Sequence, residues 1–421
     1  MKQNLIHQTE QIQVTKNNNK ELWQYCDDQC WKSKNLYNYT NYIVRQEFIN
    51  NGKWIRFYEL YKLVKDSQPF KEMVDNSGQQ VLKLLDINWK VFFSQIKDYN
   101  KNPSKYTGRP NLPKYKDKEK GRNLAIFRKH EIHNKFYKFT KSDIKFKTTV
   151  ENWKDIVLVR IVPKASHYII EVVYKKEIKE MNDEVKNIAS IDLGLNNLIT
   201  LTNNIGLPPI AINGRILKSI NQYYNKKTSE LQSIAKKSNK QWTTKRIQKI
   251  TLKRNNKVKD QMHKVSRFII DWCIEKEIDT LVIGKNENWK NEINIGKRNN
   301  QNFVMIPHST LIHQLQYKGK NEGIKVIITE ESYTSKSSFL DNDPLPKYKE
   351  GQKNEVVFSG KRIKRGLYKS GNSTLINADV NGSYNIGRKV FPNLYFKNNE
   401  GIKDVGLHPV KISIKTNDTI N

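Results

Sequence analysis

Apolar side chains recur at helical spacing in the first quarter of the chain. From about residue 20 to residue 100 they repeat every three or four positions, which is typical of helices with one buried face. The clearest stretch carries Val81, Leu84, Leu85, Trp89, Phe92, Phe93 and Ile96. Most of the many aromatic residues in this region are expected to be core. We therefore predict that residues 1–123 are mainly helical.

The pattern then changes twice. Residues 97–123 hold three prolines and two glycines among many lysines, and no regular element fits them. Beyond them, β-branched residues dominate in two runs, 156–162 and 167–174, separated by a proline and a short turn. We expect a small antiparallel β domain, in the form of a barrel, over residues 124–186. A strand at the N-terminus of the chain is a candidate to join it.

The C-terminal half alternates between strands and helices. The pattern predicts strands at 188–194, 198–202, 280–283 and 325–329, and helices over 215–277, at 309–320 and from Asp379 onward. Val258, Met262, Val265, Ile269 and Trp272 repeat at the 4-3-4-3 spacing of antiparallel helix packing. A β-hairpin followed by alternating helices and strands is the element order of an RNase H-like fold. We expect that domain over residues 187–398, with a basic insertion at 335–374, and an irregular tail over 399–421.

The whole is therefore a multidomain α/β and α+β protein, and its charge is strongly positive. The 421 residues include 75 Lys and Arg against 42 Asp and Glu, a net charge of +33. Such an excess repels itself unless a polyanion neutralises it. Nucleic acid is a better candidate than an anionic membrane, because no amphipathic basic helix or lipidation signal is present. We interpret the helical region as a nucleic-acid recognition region and residues 97–123 as a connector along a phosphate backbone, or otherwise as a solvated loop.

The compartment follows from what the sequence lacks. No apolar run approaches the roughly 20 residues needed to span a bilayer, and the first 20 residues have no signal-peptide stretch. Only three cysteines occur, and Cys26 and Cys30 lie four apart without a second pair to complete a zinc site. We expect a reduced, intracellular protein, without zinc and without a membrane partner.

Two aspartates stand in positions that suggest chemistry. Asp192 lies inside an apolar strand, where a lone charge is costly. Asp379 stands where the last helix begins, as a helix N-cap or as a metal ligand. Hydrolysis of a phosphodiester by two metal ions needs three or more carboxylates from separated parts of the chain. We predict that Asp192 and Asp379 bind two divalent ions, Mg²⁺ or Mn²⁺.

The third carboxylate is displaced. The strand at 280–283 is expected beside the Asp192 strand, and in this fold its end commonly supplies a Glu, but here it is followed by Gly284. The next strand over is followed by Glu330 and Glu331. Because Gly284 has no side chain, a Glu from that strand has room to project across. We predict Glu331 as the third ligand, with Glu330 as its alternative; otherwise both are solvated strand-end charges. Glu287, in a loop, is a weaker candidate.

These motifs resemble TnpB, the OrfB-type transposase of bacterial insertion sequences and a relative of type V CRISPR effectors. Residues 191–197 resemble its first RuvC motif, 377–386 its third, and 333–336 the segment that opens its zinc-ribbon insertion. Residues 213–226 and 284–290 are similar to a subgroup with a divergent second motif. Some relatives carry a relocated Glu a few residues before the Thr-Ser pair, which favours Glu331.

The resemblance implies an RNA-guided DNA endonuclease of the bacterial cytosol, with a C-terminal RuvC domain and a wedge-like β domain. Such a protein binds a guide RNA derived from the transposon end, recognises a short flanking motif and cuts double-stranded target DNA with one RuvC site. Base pairing carries the sequence specificity. The expected nucleic-acid contacts are Lys218, Lys226, Lys285, Lys290, Lys361, Arg362, Lys364 and Arg365.

Two departures from the family leave alternatives open. The family's ribbon uses cysteine pairs, whereas residues 337–343 occupy the first knuckle without a cysteine, so we expect no zinc. The missing Glu at Gly284 allows an inactive, RNA-guided DNA-binding repressor, although the presence of both Asp192 and Asp379 favours an active enzyme. A transposase that joins DNA strands is a third hypothesis.

Overall fold

The structure, a computed structural model, describes residues 5–133, 137–181, 184–239, 242–286, 304–347, 356–393 and 406–414. The chain divides into two compact units, one of Leu5–Glu177 and one that includes Ile178–Asn421. In the described ranges, no helix is both long and apolar enough to cross a membrane.

The first unit has helices where the helical periodicity predicts them, whereas Leu5–Val14 forms a strand. Its helices are α1 (Lys20–Asn51), α2 (Phe57–Val64), α3 (Gln68–Lys71) and α4 (Asp75–Lys101). Helix α1 begins where the Asn19 side chain accepts the backbone N–H of Leu22, and ends at Gly52 in the left-handed conformation (φ 63°). The expected core role of most aromatics holds for Tyr37 and Trp89, which are buried, whereas Tyr58 is 78% exposed.

The basic connector after α4 is held against α1. The side chain of Asn38 both donates to the carbonyl and accepts from the N–H of Lys116, and Asn41 donates to the carbonyl of Pro113. Lys34, buried on α1, donates to the carbonyl of Lys118. These bonds replace the regular backbone hydrogen bonds that an irregular segment lacks. The connector therefore follows a fixed path along α1 and is only partly solvated.

A four-stranded antiparallel sheet completes this unit. Its strands are β1 (Leu5–Val14), β2 (Ala125–Arg128), β5 (Ile156–Pro163) and β6 (Tyr168–Glu177), with a separate small hairpin of β3 (Ile132–His133) and β4 (Lys138–Phe139). The sheet order is β1-β6-β5-β2, and β1 pairs with β6 along its whole length. The N-terminal strand therefore joins the β domain, as one hypothesis allowed, and the barrel is not confirmed. Cys26 and Cys30 are buried in the core beneath this sheet.

The second unit is built on a six-stranded mixed sheet. Its strands are β7 (Ile188–Leu193), β8 (Asn197–Asn203), β9 (Ile210–Asn213), β10 (Thr280–Gly284), β11 (Lys325–Thr329) and β15 (Val410–Ile412). Its helices are α5 (Arg215–Asn239), α6 (Lys245–Glu275), α7 (His308–Asn321) and α8 (Ala378–Val390). The sheet order is β11-β10-β7-β8-β9-β15, with β10 parallel to both β7 and β11. The expected strand order around Asp192 is confirmed.

The tail and the insertion contain more regular structure than expected. Strand β15 pairs in parallel with β9, so the prediction of an irregular tail is wrong for Val410–Ile412. Ile412 and Ile414 alternate with polar residues and pack against the core, which is the physical reason for this strand. The basic insertion carries β12 (Lys361–Lys364) and β13 (Leu367–Lys369), which form a small antiparallel sheet with β14 (Leu375–Asn377).

The two faces of the large sheet bury different cores. Ala189 and Ile191 of β7 lie in a core with α6 and α7, whereas Ile188 of β7 and Val282 of β10 lie in a second core with α8. Successive side chains of a strand point to opposite faces. Asp192 has the same parity as Ile188, so it lies on the face covered by α8.

Candidate active site

Asp192 lies near the end of β7, directly beneath α8. A Cβ atom on Gly382 of α8 would lie 3.0 Å from Oδ2 of Asp192, so the helix approaches this closely only with glycine there. Burial raises the pKa of Asp192 well above its usual value, and the negative charges of Glu331 and Asp379 raise it further. Arg362 acts in the opposite direction. Three acids from separate parts of the chain are thus electrostatically coupled.

Helix α8 is fixed on the sheet by a buried polar network. The hydroxyl of Ser383 lies 2.9 Å from the carbonyl oxygen of Ser190 and 3.0 Å from the hydroxyl of Thr202. The hydroxyls of Ser190 and Thr202 are 2.8 Å apart, and all three side chains are buried. Because buried polar groups tolerate little displacement from their partners, this network sets where the first turn of α8 stands beside β7.

Asp379 is in that first turn but is not the N-cap. The cap is Asn377, whose side chain accepts the backbone N–H groups of Asp379 and Val380. The Asp379 carboxylate instead accepts a hydrogen bond from the Asn197 side chain at 2.8 Å. Nη2 of Arg362 lies 3.9 Å from its other oxygen. The hypothesis that Asp379 serves only as a helix cap is therefore wrong, because Asn377 caps the helix.

Glu331 fills the space that Gly284 leaves open. The two strands pair in parallel with Gly284 opposite Thr329, two residues before Glu331. A Cβ on Gly284 would lie 3.0 Å from Oε2 of Glu331 and 2.5 Å from Cδ1 of Ile386. Asn286 holds the glutamate twice, accepting its backbone N–H at 2.9 Å and donating to Oε1 at 3.4 Å.

The environment of Glu331 keeps its proton affinity high. Burial, and then the charge of Glu330, raise the pKa of Glu331 to about 7, against an opposing effect of Lys389. Glu331 is thus a half-buried carboxylate beside other acids, an arrangement that a cation would stabilise in its ionised form.

Glu330 is turned toward a different partner. Its carboxylate forms an ion pair with Lys389, whose side chain is only 6% exposed, and accepts the backbone N–H of Ser332 at 2.9 Å. Burial alone would raise the pKa of Glu330, but the bonds from Lys389 and Ser332 outweigh it and leave the pKa below its usual value. Glu330 is already neutralised by the protein, whereas Glu331 is not.

The predicted basic contacts are distributed unevenly around the acids. Lys361, Arg362, Lys364 and Arg365 are all exposed on β12 and the turn after it, and Arg362 reaches Asp379. Lys218 of α5 donates to the Asn196 side chain at 2.8 Å, next to Asn197. Lys226 is exposed further along α5, and Lys285 is half-buried after β10. Lys290 and Glu287 lie outside the described residues.

Sequence reasoning missed the amides that hold the acids. Asn197 and Asn286 each orient one carboxylate, and nothing in the local pattern around Asn286 distinguishes it from a surface asparagine. A usable signal existed for Asn197, because it lies in the same motif as Asp192.

The donor chemistry suits hard divalent cations. Asp192, Glu331 and Asp379 offer carboxylate oxygens, which Mg²⁺ and Mn²⁺ prefer. Among the residues that the structure describes, no three His, Cys, Asp or Glu side chains form a closed set able to hold one metal ion. Carboxylates without a cation repel one another. The raised pKa of Asp192 is the observation that fits a cation at this position.

Two family models match the chain over the candidate site. The OrfB_IS605 model, described as a probable transposase, matches residues 171–290, and the Cas12f1-like TNB domain model matches residues 308–386. Asp192 falls in the first region, and Glu331 and Asp379 fall in the second. No curated protein matches the chain.

Solved structures also match the chain over most of its length. A cryo-EM structure of a Cas12f1–sgRNA–target DNA complex matches with a TM-score of 0.50 and 14% identity, over 87% of this chain and 82% of that chain. A structure of the mini-RNA-guided endonuclease CRISPR-Cas_phi3 has a TM-score of 0.45 and 9% identity, over 91% and 92%. At such identities the likeness to Cas12f1 concerns the fold alone.

Proposed function

Because the chain is TnpB-like, we propose that it is an RNA-guided DNA endonuclease that cuts double-stranded DNA beside a short flanking motif. Its guide is an RNA derived from a transposon end. Support comes from the two matched family models, from the Cas12f1-like fold and from a net charge of +33, which suits a chain that tracks phosphate backbones.

One observation carries the catalytic part of this proposal. Asp192, Glu331 and Asp379 come from β7, the end of β11 and α8, and the charges of the other two raise the pKa of Asp192. We assign the three carboxylates as ligands of two Mg²⁺ or Mn²⁺ ions. Bound there, the ions would neutralise phosphate charge and make a water molecule more acidic.

The surrounding residues prepare these carboxylates. Asn286 orients Glu331, and Asn197 orients Asp379, as outer partners of metal ligands do. Glu330 forms an ion pair with Lys389 and is therefore not available as a metal ligand. Glu331 is therefore assigned as the third ligand in preference to Glu330.

Arg362 and its neighbours supply positive charge at the same place. A guanidinium can donate two parallel hydrogen bonds to a phosphate, and Arg362 already lies beside Asp379. We propose nucleic-acid contacts for the basic residues named from the sequence: Lys218, Lys226, Lys285, Lys290, Lys361, Arg362, Lys364 and Arg365.

The inactive repressor is not favoured. It was motivated by Gly284, where a catalytic Glu is missing, but the Glu331 carboxylate reaches the space beside that glycine.

A cleavage assay tests the function. The RNA that co-purifies with the protein would be sequenced, and a plasmid library with randomised flanks beside the matching target would be incubated with the complex and Mg²⁺. We expect cuts at one flanking motif, and none with Asp192→Ala. Binding of RNA and DNA without cuts would mean a repressor, and strand-transfer products would mean a transposase.

A further inference from the structure

The loop at 337–343 binds both ends of the basic hairpin, which we define as residues 359–371. The Oδ2 atom of Asp341 accepts hydrogen bonds from the hydroxyl of Ser338, the hydroxyl of Ser359 at 2.8 Å and the backbone N–H of Gly371 at 2.6 Å. Ser359 precedes β12 and Gly371 follows β13, so a single carboxylate oxygen joins the two ends of the hairpin at its base.

A second carboxylate strengthens the same connection. Oδ2 of Asp343, which is buried, accepts the backbone N–H groups of Ser338 at 2.8 Å and of Ser359 at 3.0 Å. The two hairpin ends also touch directly, because a Cβ on Gly371 would lie 3.0 Å from Cβ of Ser359. Glycine at this position lets the strands close onto the loop.

The loop is in turn anchored to α8. Arg388, which is buried on α8, donates to the side chain of Asn342 and to the backbone carbonyl of Asp343, each at 2.6 Å. Asn381 and Asn385 of the same helix donate to the carbonyl of Ser337. The loop at 337–343, which contains both Asp341 and Asp343, therefore connects the hairpin base to the helix that carries Asp379.

The far side of the hairpin carries Arg362 to within 3.9 Å of Asp379. Strand β12 is exposed at every residue, and a small hairpin has little stability of its own. Strand β13 pairs with β14, which leads directly into α8, whereas β12 lies at the outer edge of this three-stranded sheet. The bonds at Asp341 fix the start of β12, at Ser359, to the other end of the hairpin and to the loop.

We propose that Asp341 is a positioning residue that holds the basic hairpin against α8 and so keeps Arg362 at the acidic site. Its hydrogen bonds form the cross-link between the loop and the hairpin, and this cross-link requires no metal ion. The contacts alone support the claim that Asp341 holds the hairpin. The effect of Asp341 on cleavage rests in addition on the proposed function.

Hydrogen exchange of the full-length protein tests the holding directly. All three hydrogen bonds go to one oxygen of Asp341, so Asp341→Asn replaces a charged acceptor by a neutral amide oxygen that accepts them more weakly. We expect protection of the amides of residues 361–369 to fall about tenfold or more, with those of β7 and α8 unchanged. Asp117→Asn is the matched control, since Asp117 accepts backbone N–H groups within its own loop in the other unit. Unchanged protection of the hairpin in Asp341→Asn would overturn the proposal.

Single-turnover cleavage tests the link to Arg362. Asp341→Ala is expected to slow cleavage to the level of Arg362→Ala, and the double variant to be no slower than either. Additive losses in the double variant would mean that Asp341 does not act through Arg362. If the wild-type protein does not cleave, the proposed function fails, and hairpin protection alone decides the role of Asp341. Stoichiometric zinc in the purified protein would contradict a cross-link without metal.

Discussion

Gly284 and Glu331 share one space at the ends of adjacent strands. A Cβ atom on Gly284 would lie 3.0 Å from Oε2 of Glu331, so the absence of a side chain on one residue sets the conformation available to the other. Parallel pairing of β10 with β7 and with β11 puts this space next to the Asp192 strand. A carboxylate can therefore reach the site from a strand that does not adjoin β7.

The first prediction concerns Gly284→Ala. The added methyl group would displace the Glu331 carboxylate and press on Ile386, whose Cδ1 would lie 2.5 Å away. We expect cleavage to fall by about 10–100-fold, as when a metal ligand loses its correct orientation. Overpacking is expected to lower the free energy of unfolding by about 1–3 kcal/mol. Single-turnover kinetics and urea unfolding measure the two effects.

A second substitution separates the effect of Gly284→Ala on packing from its effect on Glu331. Ile386→Val removes Cδ1, so the double variant Gly284→Ala/Ile386→Val should recover stability while the contact with Glu331 remains. If cleavage recovers together with stability in the double variant, overpacking alone caused the loss of cleavage, and displacement of Glu331 did not contribute to it.

Asn286→Ala is the second prediction. The substitution removes the side chain that accepts from the Glu331 backbone and donates to its carboxylate. We expect a loss of about 10–100-fold in cleavage and a higher Mg²⁺ concentration for half-maximal rate, because the ligand is less well oriented. Asn102→Ala, which removes a comparable bond to Asp98 on α4, serves as control. An unchanged Mg²⁺ requirement in Asn286→Ala would argue against this orienting role.

The strands that carry Asp192 and Gly284 could be predicted from the sequence because local patterns determine them. An Asp inside an apolar run is conspicuous, and a glycine at the end of β10 points to a missing side chain. The amides of Asn197 and Asn286, in contrast, gain their roles from residues 182 and 45 positions away. The same holds for β15, which is a strand only because β9 offers it an edge.

The fixing of the hairpin was also beyond sequence reasoning. The sequence shows that residues 337–343 occupy the position of the first knuckle without a cysteine, but it does not show that Asp341 contacts both Ser359 and Gly371. Likewise, Asp379 has the composition of an N-cap, and only the geometry of Asn377 assigns the cap elsewhere.

The third prediction concerns stability at low pH. Asp27 accepts two hydrogen bonds from the Arg122 guanidinium and one from the Tyr168 hydroxyl. Burial alone would raise the pKa of Asp27, but the bonds from Arg122 and Tyr168 outweigh it and leave the pKa below its usual value. A lowered pKa in the folded state stabilises the protein above the unfolded-state pKa of about 4, and this contribution is lost as pH falls through the folded-state value.

We therefore expect Asp27→Asn to lower the free energy of unfolding by about 1.5–3 kcal/mol at pH 7 and by less at pH 3. Urea unfolding at both pH values measures the difference. Asp28→Asn, which removes an exposed pair with Lys32, is the control and should change stability by less than about 1 kcal/mol. A penalty for Asp27→Asn that is equal at both pH values would contradict the expected titration.

The fourth prediction concerns the salt dependence of DNA binding. Lys361 and Lys364 are exposed on the basic hairpin and are proposed phosphate contacts. Each contact contributes about −0.9 to the slope of log K against log salt on duplex DNA, so Lys361→Ala/Lys364→Ala should make the slope less negative by about 2. Lys264→Ala, at a lysine already paired with Asp260, should leave it unchanged. A slope that is the same in the hairpin variant and the wild type would remove these lysines from the DNA interface.

The central proposal is that three acids, far apart in the sequence, bind the same divalent ions. Single-turnover cleavage with Mg²⁺ tests it most directly. Asp192→Asn, Asp379→Asn and Glu331→Gln are each predicted to lose more than the roughly 10–100-fold typical of outer partners, with RNA and DNA binding retained. Glu330→Gln is predicted to keep most of the activity, because Lys389 already holds that side chain. Rapid cleavage by Asp192→Asn, or a loss in Glu330→Gln with full activity in Glu331→Gln, would contradict the assignment.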